Sequence, residues 1–117
     1  VCISSIAGLE TTGAPITYSV SKTALISYVK RISKPFAKEG IRINCVSPGN
    51  IFFKGSTWEE KLRKNKNKVE KMLKNKVALN RFGTPEEVSD LVVFLVSSKS
   101  SFITGSNFII DGGQLKS

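Results

Sequence analysis

Short runs of β-branched and apolar residues alternate along this chain with longer stretches whose apolar residues recur every three or four positions. That alternation limits the fold more than any other feature, because parallel strands need helical crossovers between them. Val1-Cys-Ile-Ser4 reads as the end of a buried strand, and Gly8 to Pro15 as a loop broken by Gly13 and Pro15. Ile16 to Lys38 follows a helical period, with Leu25, Tyr28, Val29, Ile32 and Phe36 on one stripe. Pro35 either kinks that helix or opens a new last turn, and Gly40 is placed to stop it. Ile41-Arg-Ile-Asn-Cys-Val46 predicts a second strand, ended by Ser47-Pro-Gly49. Trp58 to about Leu79 predicts one helix with a thin apolar face of Leu62, Val69, Met72 and Leu73. Thr84-Pro-Glu-Glu87 is a helix start with a capping box, and Val88, Leu91, Val92 and Leu95 form the buried face behind it. Phe102 to Gly105 is a turn before a last strand, Asn107-Phe-Ile-Ile110, closed by Asp111-Gly-Gly113. The order predicts an α/β fold built on a parallel sheet of three strands with crossover helices, in one domain over residues 1–117.

Composition narrows the chemistry. Hydrophobic residues at 40% and charged residues at 23% describe a folded, water-soluble protein rather than a disordered one. No apolar run is long enough to span a bilayer. Val1 opens straight into Cys-Ile-Ser-Ser without a basic leader, and the missing initiator Met points to lost upstream sequence. The 117 residues contain no His, which removes Ser-His-Asp and Cys-His nucleophiles and the usual zinc sites. Cys2 and Cys45 form no CxxC pair and are read as two buried thiols in a reducing cytoplasm, with no disulfide and no metal.

The net charge is +9, and residues 54–76 hold nine Lys or Arg against three Glu, so +6 of it lies there. Such a run can meet nucleic acid or a phosphorylated ligand. It lacks interleaved aromatics, with none between Trp58 and Phe82, and is therefore read as a solvated lysine-rich helix.

Tyr18 and Lys22 stand four apart, which places them on one helix face about one turn from each other. A phenol titrates near ~10 and is a poor proton donor or acceptor at neutral pH. An ammonium a few ångströms away favours the phenolate, so the pair can give a proton to a carbonyl oxygen or take one from an alcohol. Lys22 has spare donors for the hydroxyls of a cofactor ribose. Ser5 closes the first strand and Ser47-Pro-Gly49 the second, so both fall on the rim where open α/β sheets bind ligands. A hydroxyl there can stabilise developing negative charge, and Gly49 lets a ligand approach the backbone.

Ser5-Ile-Ala-Gly8, Tyr18-Ser-Val-Ser-Lys22, Gly40-Ile-Arg-Ile-Asn44, Ser47-Pro-Gly49, Gly83-Thr-Pro-Glu-Glu-Val88, Ile103-Thr-Gly105 and Asp111-Gly-Gly113 together resemble the short-chain dehydrogenases/reductases, and most closely their 3-oxoacyl-acyl-carrier-protein reductase-like members. The resemblance covers essentially the whole chain. It implies the carboxy-terminal, catalytic half of a Rossmann-like, doubly wound parallel sheet, and an oxidoreductase using NAD or NADP on a carbonyl or alcohol. It implies Tyr18 as acid–base, Lys22 as the residue that activates Tyr18 and binds the nicotinamide ribose, and Ser5 as the group that polarises the substrate carbonyl. Ser5 and Tyr18 then contact substrate, while Pro48, Gly49 and Ile51 line the nicotinamide pocket, with the Ile51 backbone on the carboxamide. Phe52 to about Leu79 is implied as a mobile substrate lid, and a homodimer or homotetramer through the Tyr18 helix and the last helix and strand.

Departures are visible too. Phe53 stands where many relatives carry a Thr that contacts the cofactor, leaving Ser56 or Thr57 to substitute. The family's Gly-rich pyrophosphate turn, its proton-relay Asn and its cofactor-choosing residues are not among these 117, so the amino-terminal cofactor-binding half is expected to be absent and the first strand to leave an open edge. Two other readings follow. The chain acts as a non-catalytic fragment that partners a full-length relative, or Lys61 to Lys76 binds nucleic acid.

Overall fold

The computed structural model describes residues 1–116. Three parallel strands, β1 (Cys2–Ile3), β2 (Cys45–Pro48) and β3 (Asn107–Ile110), lie in the order β1-β2-β3. Cys2 faces Cys45 across the first pair, and Cys45 faces Asn107 across the second. Helices α1 (Ile16–Ala37), α2 (Thr57–Lys64), α3 (Lys66–Lys76) and α4 (Pro85–Val96) fill the connections. The parallel α/β reading therefore holds.

Three boundaries differ from the sequence expectation. Strand β2 begins at Cys45 rather than Ile41, because Arg42 and Asn44 are occupied elsewhere. Asn44 donates its amide to the Ile103 carbonyl at 2.9 Å and accepts from the Ser106 N–H at 3.1 Å, which ties the approach to β2 to the approach to β3. The helix expected from Trp58 to Leu79 is two helices. Asn65, at φ −158° and ψ 85°, ends α2, and its side chain accepts the Lys68 N–H at 3.0 Å to start α3. A side-chain cap satisfies an N–H group that a continuous helix would bond internally. Strand β1 is shorter than expected and half open, since Val1 and Ile3 are exposed and, among the described residues, β1 pairs on one edge only.

Pro35 does not break α1. It sits in the last turn, and Gly40 at φ +75° ends the segment with its N–H on the Ala37 carbonyl. The inward stripe is narrower than its period indicated. Val29 is buried, Leu25 and Ile32 are half-buried, and Tyr28 and Phe36 are exposed. The core is modest, with Val46 and Cys45 in the sheet and Val29 and Leu95 packed from the helices. A satellite cluster of Val69, Leu73 and Val77, with Trp58, Leu62, Met72 and Phe82 against it, holds α2 and α3.

The capping box at α4 forms as expected. Thr84 and Glu87 exchange side-chain-to-backbone bonds of 3.3 and 2.9 Å. The structure adds a clamp that spacing did not show. Arg81 donates to both Glu87 carboxylate oxygens, at 3.0 and 2.6 Å. Chiefly through that guanidinium, and then through the Thr84 backbone, the Glu87 carboxyl is held at about 2, below its ordinary 4.5. A carboxyl depressed by folding contributes stability that is present above pH 4.5 and is lost as pH falls toward 2. The difference in melting temperature between the wild type and Glu87→Gln should therefore be constant above pH 5 and shrink below it. A difference independent of pH down to 2 would show that the clamp does not titrate with folding.

Candidate active site

The site begins with the way α1 is seated on β1. Ser5, extended at φ −163°, leaves the strand and caps a 3-10 turn over Ile6–Gly8, its Oγ accepting the Ala7 N–H at 3.1 Å. Helix α1 lies directly on that turn. A Cβ on Gly8 would come within 2.8 Å of the Lys22 carbonyl carbon and the Thr23 nitrogen, so only glycine permits this approach. Two hydroxyls lock the contact. Ser4 donates to the Lys22 carbonyl at 2.9 Å, and Thr23 donates to the Gly8 carbonyl at 2.8 Å. Gly8→Ala should therefore cost about 1–3 kcal/mol through overpacking and lift the Lys22 turn off the sheet. Denaturant unfolding measures the first effect, and an unchanged midpoint would contradict the fit.

That seating fixes Lys22. Its Nζ donates to the Ile3 carbonyl at 3.1 Å and lies 5.5 Å from the centre of the Tyr18 ring. The ammonium is therefore beside the phenol and tied to the strand two residues before Ser5. One bond to Ile3 leaves further N–H donors on the ammonium. Tyr18 is 44% exposed, and Ser5 is half-buried. The Ser5 oxygen accepts within its own turn, so its hydroxyl hydrogen is free for another oxygen.

The second strand end lies alongside. Pro48 closes β2, and Pro48 and Ile51, together with Val1, Ile3, Phe53 and Val92, line a cleft of about 450 Å³ between β1 and α4. Ile51 forms a parallel bridge with Gly83, made by Phe52 N–H on the Gly83 carbonyl (3.0 Å) and Gly83 N–H on the Asn50 carbonyl (2.9 Å). Neither bond uses Ile51's own N–H or carbonyl. Gly49 has a packing reason to be glycine. A side chain there would strike Asp111, whose Cβ would lie 2.7 Å away at the end of β3. The Ser56 hydroxyl accepts the Glu59 N–H at 3.4 Å and caps α2. Thr57 begins that helix and is exposed, and Phe53 lies in the open cleft.

Some contributors escaped the sequence reading. Ser4, Thr23 and the Ile3 carbonyl set the position of Lys22, and Gln114 accepts the Asn50 N–H at 3.2 Å, steadying the rim loop from the far end of the chain. No spacing rule marks them, since each depends on a contact between distant segments. Among the described residues no group of His, Cys, Asp or Glu could hold a metal, and no helix is long and apolar enough to cross a membrane.

Known proteins share this fold and much of this sequence. The family model described as enoyl-(acyl carrier protein) reductase matches residues 1–114. The chain is 38% identical over 114 residues to the 3-oxoacyl-[acyl-carrier-protein] reductase of Buchnera aphidicola, covering 97% of this chain and 44% of that one. It is 38% identical over 99 residues to isoepoxydon dehydrogenase of Penicillium expansum, covering 85% of this chain and 38% of that one. Among solved structures it superimposes on L-sorbose reductase from Gluconobacter frateurii, complexed with NADPH and L-sorbose, with a TM-score of 0.88 and 30% identity over 98% of this chain and 46% of that one. A 4-hydroxyisoleucine dehydrogenase complexed with NADH gives 0.83 and 36%, over 96% of this chain and 44% of that one. The chain thus spans less than half the length of these relatives. On the match over residues 1–114 and the parallel α/β core, the chain belongs to the short-chain dehydrogenase/reductase family, and within it resembles the 3-oxoacyl-acyl-carrier-protein reductases.

Proposed function

We propose that this chain carries the proton-handling part of an oxidoreductase that moves a hydride between NAD(P)(H) and a carbonyl or alcohol. One observation carries the reading. The Lys22 ammonium is held against the Tyr18 ring and against the strand that delivers Ser5. Tyr18 gives its proton to the carbonyl oxygen in reduction and takes one back in oxidation. Lys22 stabilises the charge that grows on the Tyr18 oxygen, and its spare N–H donors hold a ribose hydroxyl. Ser5 donates to the same substrate oxygen and offsets its developing charge.

The residues present fit one end of a nicotinamide cofactor. Lys22 supplies donors, Pro48 and Ile51 line the cleft with Gly49 following Pro48, and the N–H and carbonyl of Ile51, which carry no hydrogen bond among the described residues, suit the oxygen and the amino group of a carboxamide. When bound, the nicotinamide supplies or accepts the hydride. The relatives solved with NADH and with NADPH support either dinucleotide. The α2–α3 pair stands over the same rim, Met72 taking the Asn50 amide at 3.6 Å, and is read as the cover of the substrate pocket. Ile16, Val20 and Tyr28, exposed along α1, support a homodimer or homotetramer, and the two free cysteines support a cytoplasmic compartment.

A second reading is favoured by the single-sided pairing of β1 and by the share of the relatives' length that the chain spans. In it, the chain is a non-catalytic fragment that partners a longer relative. Calorimetric titration with NADH and NADPH, followed by carbonyl turnover, separates the two. Saturable binding that weakens in Lys22→Ala supports the enzyme reading. Absence of binding at millimolar dinucleotide supports the fragment reading and removes the first for this chain.

A further inference from the structure

The two cysteines, 43 positions apart in sequence, are register partners on neighbouring strands. Parallel partners project to the same face of a sheet, and neighbouring strands run about 4.8 Å apart. That spacing falls within the roughly 4.4–6.8 Å Cα separation a disulfide spans. Cys2 N–H on the Asn44 carbonyl (2.9 Å) and Ser4 N–H on the Val46 carbonyl (2.7 Å) hold the strands together on either side of the pair. The thiols are unequal. Cys2 is half-buried, whereas Cys45 is completely buried. Burial chiefly pushes the Cys45 thiol up, and Cys2 adds to that; the Ser4 backbone and Lys22 act on it in the opposite sense.

We infer that Cys2 and Cys45 form an oxidisable dithiol, a modification site at which a hydroperoxide installs a reversible disulfide between β1 and β2. The Cys2 thiolate attacks one peroxide oxygen, the O–O bond breaks, and water or an alcohol leaves as Cys2 becomes a sulfenic acid. The Cys45 sulfur then attacks the Cys2 sulfur, the S–O bond breaks, and a second water leaves. Two thiols have lost two electrons and two protons, and the peroxide has accepted them. Cys2 takes the first step because it is the sulfur an oxidant can reach, and Cys45 resolves because it lies opposite. The bond would have a structural consequence. Ile3, between Cys2 and Ser4, gives its carbonyl to Lys22, so a staple across β1 and β2 shifts the anchor of that lysine. The disulfide does not depend on the proposed hydride chemistry, but its effect on the site does.

The test uses the whole chain treated with stoichiometric hydrogen peroxide and read by intact mass and peptide mapping. The expected product has lost two hydrogens, carries a Cys2–Cys45 crosslink, and returns to the starting mass with dithiothreitol. Cys45→Ala should stop at a dimedone-trappable sulfenic acid on Cys2, and Cys2→Ser, altered at a half-exposed position, should resist oxidation. Stepwise gain of oxygen on either cysteine in the wild type, or disulfide-linked dimers in place of the internal bond, would overturn the assignment. In the oxidised monomer, labelling of Lys22 by an amine-reactive reagent should rise relative to the other lysines. Equal labelling before and after oxidation would remove the coupling to Lys22.

Discussion

Replacing Tyr18 with phenylalanine should lower carbonyl reduction about a thousandfold, the scale of a positioned general acid. It should do so without unfolding the protein. Tyr18 is 44% exposed on the first full turn of α1, and the substitution removes one oxygen while keeping the ring against which Lys22 rests. Dinucleotide binding should stay within a factor of a few, because Lys22 keeps its bond to Ile3. The informative pattern is a collapse of kcat with cofactor affinity preserved. Lys22→Ala should damage both, since it removes the charge beside the phenol and the donors facing the ribose. Where the chain alone does not turn over, the same comparison is made with the amino-terminal half of a relative supplied. Tyr18→Phe at a tenth of wild-type activity or more would show that the proton travels by another group.

Arg42→Ala should be the most damaging substitution away from the site, at about 3 kcal/mol. The guanidinium reaches across from the approach to β2 and closes off the end of α4. Its Nη1 donates to the Leu95 carbonyl at 3.0 Å, the Ser100 hydroxyl at 3.0 Å and the Ile103 carbonyl at 3.2 Å, and its Nη2 donates to the Ser97 carbonyl at 3.1 Å. The last carbonyls of a helix lack internal partners, and Arg42 bonds them beside Ser100, whose hydroxyl also reaches the Leu95 and Ser97 carbonyls, while Asn44 shares the Ile103 carbonyl. Truncation removes four charge-assisted bonds, each worth about 1.5–3 kcal/mol before those remaining partners, relaxation and water recover part of it. Arg42→Lys should recover only a fraction, because one ammonium cannot span four acceptors held by a planar fork. Urea unfolding of the three proteins gives the comparison. A loss below about 1 kcal/mol for Arg42→Ala would mean that water takes over the carbonyls.

These cases show why the sequence was readable in some places and not in others. The Thr84–Glu87 capping box and the Tyr18–Lys22 spacing were legible because both partners lie within one helical turn, where backbone geometry fixes their separation. Strand β3 and the stop at Gly40 were legible for the same local reason. The start of β2 was not. Ile41 to Asn44 alternates like a strand, but Arg42 and Asn44 bond to residues 53 to 62 positions away. Asn65 looked like one more polar residue in a lysine-rich helix until its side chain was seen capping a second one. At Gly49 the packing neighbour that excludes a side chain is Asp111, at the far end of the chain, which no local spacing shows.

The sequence by itself determined the parallel α/β order, the helix bearing Tyr18 and Lys22, and the family, because periodicity, caps and short motifs are set by near neighbours along the chain. Only the tertiary structure decided that Lys22 is pinned to Ile3, that Arg42 closes α4, that the basic stretch is two helices, and that Cys2 lies opposite Cys45. Each of those rests on contacts between segments that sheet pairing and side-chain packing bring together, and such contacts have no signature in spacing.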